Sequence, residues 1–283
     1  MTVGEFDWDA LSDRENKFMQ EVVTDLDGVE WVRPALEGLA ARGGIRTENK
    51  ALLFELRFAH AVQVQGLPTR YEAPGEGEST IDFEVERDGQ RWRVELMRLT
   101  ETKAVREATV EERDENGTVW SSRSLSTDAT DKRQSTEGET LKAVERLCQK
   151  CERDGRPHKF PKPDDAFNVL LVDCRTFMNG GDKADRCHVA LGAAYVPAHF
   201  RLSWDGKPIT GVFDPATTLK GAKETRERVH FIGFVNEKTF EPGGLAEAVE
   251  LVANPNLFAT EDDVRAAIKT WPLPPPHVLN IKS

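Results

Sequence analysis

The stretch 79–99, STIDFEVERDGQRWRVELMRL, constrains this 283-residue chain more than any other. Two runs alternate apolar and polar residues around Asp88-Gly89, a dipeptide suited to a tight turn with φ > 0, so the stretch predicts a β-hairpin. Successive strand side chains point to opposite faces. Ile81, Phe83 and Val85 are therefore expected on one face and Asp82, Glu84 and Glu86 on the other. On the second strand Trp92, Val94 and Leu96 share the apolar face, leaving Arg91, Arg93, Glu95 and Met97 opposite. If both apolar faces enter one core, Asp82 and Glu95 look to the same side, as two carboxylates must to hold Mg²⁺ or Mn²⁺. Such hard cations take oxygen ligands, usually one or two carboxylates with waters and substrate phosphates.

Around this hairpin the chain reads as α/β. Residues 1–46 predict a helical layer, with Asp9 or Ser12 as cap, an apolar set Phe18, Val22, Val23 and Leu26, and a second helix begun by Pro34 and ended by Gly43-Gly44. A stronger helix follows Thr47 and ends at Gly66, with Glu55 inside an otherwise apolar turn. A short strand near Thr69 and the loop PGEGES lead into the hairpin. After Leu99 comes a charged, helical-looking run, then a stretch rich in Ser, Thr and charge that predicts a mobile surface loop. Residues 139–154 predict a helix with the stripe Leu141, Val144, Leu147, Cys148 and Cys151, stopped by Gly155. The apolar runs 167–173 and 229–235 predict buried strands, and 241–283 predicts two helices and a Pro-rich tail. The expected organisation is thus a layer over 1–46, a core with insertions over 47–240, and a C-terminal addition over 241–283.

Composition narrows the function. With 39% hydrophobic and 31% charged residues the chain is an ordinary globular composition. No apolar run approaches the roughly 20 residues that span a bilayer, and the acidic N-terminus lacks the pattern of a secretory signal, so no membrane partner and a cytoplasmic location are expected. A net charge of −11 argues against a general nucleic-acid coat but leaves room for a local basic cleft. Cys148, Cys151, Cys174 and Cys187 are expected as reduced thiols; with His188 they invite zinc, but packing of small thiols against the core accounts for them. The basic window 220–228 reads as a solvated helix, and His60 and His230 as packed or surface histidines. Gly75 and Gly77 lack the setting of a phosphate loop.

The order α, β, β, β, α, β over roughly 47–175, with Asp82 in TIDFEV and Glu95 in VELM, resembles the PD-(D/E)XK nuclease superfamily, the restriction-endonuclease-like fold. The resemblance implies an αβββαβ core with a mixed sheet and a Mg²⁺-dependent nuclease cutting DNA, ahead of RNA. Asp82 and Glu95 would be metal ligands, and Glu55 would match the additional acid many members carry on the first helix. Homodimers are common in the family. The motif Lys, which positions the attacking water, is replaced by Met97. Arg98, Lys103, Lys132 and Lys142 are substitutes by position; Arg98 points to the wrong face of a regular strand, so Lys142 on the following helix is preferred, with Gln149 on that helix as a contact to substrate or water. The competing function is a binding or scaffold module that kept the fold and lost catalysis. For Asp82 and Glu95 the competing reading is a solvated strand face whose charges pair across strands.

Overall fold

A computed structural model describes residues 10–102, the backbone of 109–113 and 119–123, and residues 133–177 and 181–281. Helix α1 (Asp13–Leu26) opens with a capping box in which the Ser12 hydroxyl accepts from the Glu15 amide and the Glu15 carboxylate accepts from the Ser12 amide. Helix α2 (Arg33–Ala41) has Pro34 in its first turn, where a missing N–H costs nothing, and α3 (Lys50–Val64) follows. Strands β1 (Thr69–Pro74), β2 (Thr80–Arg87) and β3 (Gln90–Arg98) form an antiparallel meander. The predicted turn is present: Arg87 pairs with Gln90, and Asp88 (φ 54°) and Gly89 (φ 77°) take the two left-handed positions of a type I′ turn.

Four expectations need correction. Within the run expected to be helical after Leu99, β4 (Thr109–Arg113) and β5 (Val119–Arg123) pair antiparallel, in keeping with their β-branched and aromatic residues. The rest of 103–132, including Lys103 and Lys132, lies outside the described residues; of the stretch 121–139 expected as a surface loop, 121–123 belong to β5 and 136–139 open the next helix. The helix expected to run to Asp154 is α4 (Thr136–Gln149) and ends earlier, because Asp154 (φ 53°) and Gly155 (φ 75°) form the turn between two short strands, β6 (Glu152–Arg153) and β7 (Arg156–Pro157).

Strand β8 (Ala166–Asp173) lies parallel to β3, so α4 sits in the crossover between them. Then come α5 (Lys183–Leu191), the short hairpin β9 (Ser203–Trp204) and β10 (Lys207–Pro208), α6 (Ala222–Arg228), and β11 (Phe231–Val235), parallel to β8. The third correction falls on 241–283. After the short α7 (Gly244–Glu247), the stretch expected to be helical is strand β12 (Val249–Ala253), antiparallel to β11; α8 (Glu261–Ile268) follows, and past the prolines β13 (His277–Val278) joins the same sheet. The C-terminal addition thus completes the core sheet.

The seven-stranded mixed sheet runs β1-β2-β3-β8-β11-β12-β13 between two helical layers. Phe83, Val85, Trp92, Val94, Leu96, Val169 and Leu171 pack with α1, α2, α3 and α8. Leu170, Val172, Ile232 and Phe234 pack with α4, α5 and α6. A strand covered on both faces must be apolar throughout, which is why 167–173 and 231–235 show no alternation. Gly233 is a packing glycine: a Cβ there would come within 2.5 Å of Leu171 and 2.8 Å of Leu251.

The fourth correction concerns Ile81, expected beside Phe83 and Val85 but packed in the opposite apolar cluster with Leu99 and Phe160. Opposite this point Glu72 on β1 has φ 49°, the β1–β2 register skips Asp82, and the β2–β3 register stops at Phe83. This is the kind of local ladder break that turns a strand and re-aims its side chains. Among the described residues no helix is long and apolar enough to cross a membrane, and all four cysteines are free and buried.

Candidate functional site

Asp82 and Glu95 meet where β2 and β3 stop exchanging backbone hydrogen bonds. The ladder closes at Phe83 with Val94, and beyond it each carboxylate takes a backbone N–H of the other strand. Leu96 N–H donates to Asp82 Oδ2 at 2.6 Å, and Asp82 N–H to Glu95 Oε2 at 3.4 Å. In register with Leu170, Glu95 faces the α4 layer and is fully buried.

Two ammonium groups converge on the other oxygen of Glu95. Lys150 Nζ lies 2.8 Å and Lys159 Nζ 3.0 Å from Oε1. The Glu95 side chain is 1% exposed, against 31% for Lys150 and 19% for Lys159, so the cluster opens to solvent on the lysine side. Both lysines come from the β3–β8 crossover. Lys150 is the C-cap of α4, and extends the stripe of Ala143 and Leu147 that faces the sheet. The end of α4 is pinned by α6: the Thr225 hydroxyl donates to the Gly221 and Cys148 carbonyls, and Gly221 (φ 81°) passes so close that a Cβ would stand 2.1 Å from the Cys148 oxygen.

Lys159 is held by a second clamp. Its N–H donates to Ser79 Oγ at 3.0 Å and its carbonyl accepts from the Glu76 N–H at 2.8 Å. Gly75 leaves room for that carbonyl, since a Cβ would sit 2.4 Å from it. Lys159 itself has φ 64°, a left-handed conformation costing a side-chain-bearing residue about 1–2 kcal/mol. Arg228 ties the clamp together through Glu76 Oε2 and the Phe160 carbonyl, each at 3.1 Å. The PGEGES loop, no phosphate loop by its sequence, is thus the seat of a lysine.

Glu55 comes from α3, on the other side of the sheet. It accepts from Tyr71 OH at 2.7 Å and lies within electrostatic reach of Glu95 and Lys150. Burial, then the neighbouring Glu95 charge, outweigh the Tyr71 hydrogen bond and push its carboxyl above the ordinary range. Asp82 is pushed further, to about 8, by burial and then by Glu95 and Glu55, despite the Leu96 N–H and Lys159. Burial opposes the charge of Lys150, but Glu95, Asp82 and Glu55 overcome it and its pKa rises. Lys150 therefore stays an ammonium, fit to donate hydrogen bonds and steady negative charge but not to take a proton at neutral pH.

Of the residues expected from sequence, Asp82 and Glu95 are brought together and Glu55 stands near them. Lys142 and Gln149 are not there: Lys142 Nζ pairs with Glu145 Oε2 at 2.6 Å, and Gln149 Nε2 donates to Glu145 Oε1 at 3.1 Å. The reason is helical phase. Residues 142, 145 and 149 share one face of α4, while Val144, Leu147 and Cys148 turn inward. Lys142 instead lines an outer cleft of about 440 Å³ with Leu141, Arg146 and Trp204. Arg98 lies by Asp173 on the opposite face of the sheet, as expected of a wrong-facing residue. Sequence reasoning missed Lys150, Lys159 and Tyr71. A polar residue continuing a buried helical stripe marks Lys150; nothing local marks Lys159.

The remainder of this hairpin face is ordinary. Arg93 pairs with Glu84 at 3.1 Å and with Asp164 at 3.1 Å, and Arg91 pairs with Asp165. Cross-strand pairing therefore explains Glu84, Arg91 and Arg93 but not the Asp82–Glu95 pair. His230 is a packed residue whose Nδ1 accepts from the Asn168 N–H at 3.0 Å.

The donor set suits a hard cation. It offers carboxylate oxygens, and three acids, Asp82, Glu95 and Glu55, stand near two lysines. Among the described residues no three acidic, His or Cys side chains converge on one point, so the fit is to a cation held by Asp82 and Glu95 with water rather than by three protein ligands. Compared with protein-family profiles, curated proteins and solved structures, the chain matches none of them.

Proposed function

We propose that the chain is a divergent metal-dependent nuclease of the PD-(D/E)XK type, hydrolysing phosphodiester bonds in nucleic acid, with DNA as the first substrate to test. The observation that carries this reading is the contact of Lys150 with Glu95 beside Asp82. It supplies, from the crossover helix, the ammonium that Met97 removes from the strand. Apart from the inserted pairs β4–β5 and β6–β7, the succession α3, β1, β2, β3, α4, β8, with β8 parallel to β3, agrees with the core the resemblance implies.

In this reading Asp82 and Glu95 hold Mg²⁺ or Mn²⁺, which when bound lowers the pKa of a water and offsets charge on the phosphate. The Leu96 N–H fixes the Asp82 carboxylate, and the lysines fix that of Glu95. Lys150, cationic and partly open to solvent, donates to the attacking water. Glu55, locked by Tyr71, adds negative charge to the side of the cluster nearest α3.

Titration calorimetry of Mn²⁺ into the wild type and Asp82→Ala tests the site. Binding heat is expected in the wild type and not in the variant, with Mn²⁺-dependent cleavage reduced ~100-fold or more. Equal cleavage by Asp82→Ala and Glu95→Ala would remove the proposal. One observation favours a second reading, a non-catalytic binding module: both ammoniums already satisfy one Glu95 oxygen, as an internal substitute for a metal would. It predicts no Mn²⁺ heat in either protein.

A further inference from the structure

We propose that Lys159 is a substrate-binding residue that grips the phosphate at the cleavage site, while Lys150 serves the attacking water. This assignment deepens the nuclease reading and rests on it. Two lysines on one carboxylate oxygen are more than Glu95 needs as counter-ions, and they are not equivalent in construction. Lys150 ends a helix pinned by α6 and keeps ordinary helical backbone. Lys159 is presented from a left-handed backbone position by hydrogen bonds to Ser79 and Glu76, with Gly75 cleared for its carbonyl and Arg228 bracing both loops. A strained residue persists only where its surroundings over-determine it, and such strain clusters at ligand clamps.

Charge supports the need for both lysines. Glu55, Asp82 and Glu95, once ionised, leave one negative charge after both lysines are counted. A divalent cation then makes the cluster singly positive, matching one phosphodiester. With a single lysine the cluster and cation would be neutral and offer the phosphate no net attraction. Lys159 Nζ makes the longer of the two contacts to Glu95, 3.0 Å against 2.8 Å, and although less exposed than Lys150 its side chain also reaches solvent. Lysine suits this work as a compact cation that binds phosphate without a fixed fork.

The test measures binding of a fluorescent DNA duplex by anisotropy in Ca²⁺ over a range of salt, and cleavage in Mn²⁺, for the wild type, Lys159→Met, Lys159→Arg and Lys150→Met. Lys159→Met is expected to weaken binding about tenfold and to flatten the salt dependence by about one released counter-ion. Lys159→Arg should recover most of the binding, and Lys150→Met, at the same loss of charge, should bind more tightly than Lys159→Met yet cleave far more slowly. A counter-ion of purely structural importance would leave the salt slope unchanged. If the wild type cleaves and Lys159→Met keeps its affinity and slope, the assignment is overturned while the nuclease reading stands. If the wild type neither binds the duplex nor cleaves it, both fall together.

Discussion

Glu15 and Asp82 are both buried acids, yet the protein drives their protons in opposite directions. Burial raises the Glu15 carboxyl, but the Ser12 amide and hydroxyl and the Arg175 guanidinium outweigh it, and the net shift is downward. Asp82 is raised by burial and again by Glu95 and Glu55. Glu15 belongs to a network at the C-terminal ends of β3, β8 and β11, where Arg175 pairs with Glu15, Arg57 with Glu237, and Arg98 with Asp173 at 3.4 Å. The Arg57 guanidinium stacks 3.6 Å over Phe240. Each acid there meets a guanidinium, whose planar fork suits permanent pairing. Across the sheet three acids share two lysines that reach in from solvent. Burial alone sets neither behaviour; the number and kind of partners do. One cluster is closed by permanent pairs, and the other is open to solvent on its lysine side.

Breaking the arginine network should have the largest effect. Glu237→Ala leaves the 2%-exposed Arg57 side chain without its ion-pair partner. A loss of about 3–5 kcal/mol is expected in urea unfolding, the scale for stranding a buried charge. A loss below about 1 kcal/mol would erase the contrast.

An effect with the opposite sign should follow Asp82→Asn. Because the folded carboxyl titrates near 8 and the unfolded one near 3.8, folding takes up a proton between those values. The stability present below about 4 is therefore lost as pH rises through 8, by up to ~1.4 kcal/mol per pH unit. Asp82→Asn should abolish this slope and be more stable than the wild type at pH 8. Parallel stability–pH curves would show that Asp82 is not the strained acid. The smallest effect belongs to Lys142→Ala, which removes an exposed pair with Glu145: within about 0.5 kcal/mol, with Mn²⁺ binding unchanged by calorimetry.

The hairpin was legible because both of its signals are local: period-two alternation and a dipeptide that tolerates positive φ. The same logic placed β8 and β11, whose unbroken apolar runs demand cover on both faces. It failed at β12, where Val249, Leu251 and Val252 fit a helix as well as a strand and only the open edge of β11 decides between them. It failed at Ile81 because a break in the ladder depends on a residue, Glu72, in another strand. It pointed to Lys142 and passed by Lys150 because a step of one or two residues along a helix changes the face, and only packing sets which face meets the sheet.

Taken alone, the sequence determined the hairpin, its turn, the side-by-side placing of Asp82 and Glu95, and the want of a lysine at Met97. These follow from neighbours in the chain, where backbone geometry converts spacing into direction. Which cations serve the two carboxylates was decided by tertiary structure. Lys150 depends on the clamp between α4 and α6, and Lys159 on a loop 80 residues earlier that holds it by two backbone hydrogen bonds. Contacts of that separation leave no periodic trace, because each is set by how whole elements pack and not by any residue's own preference.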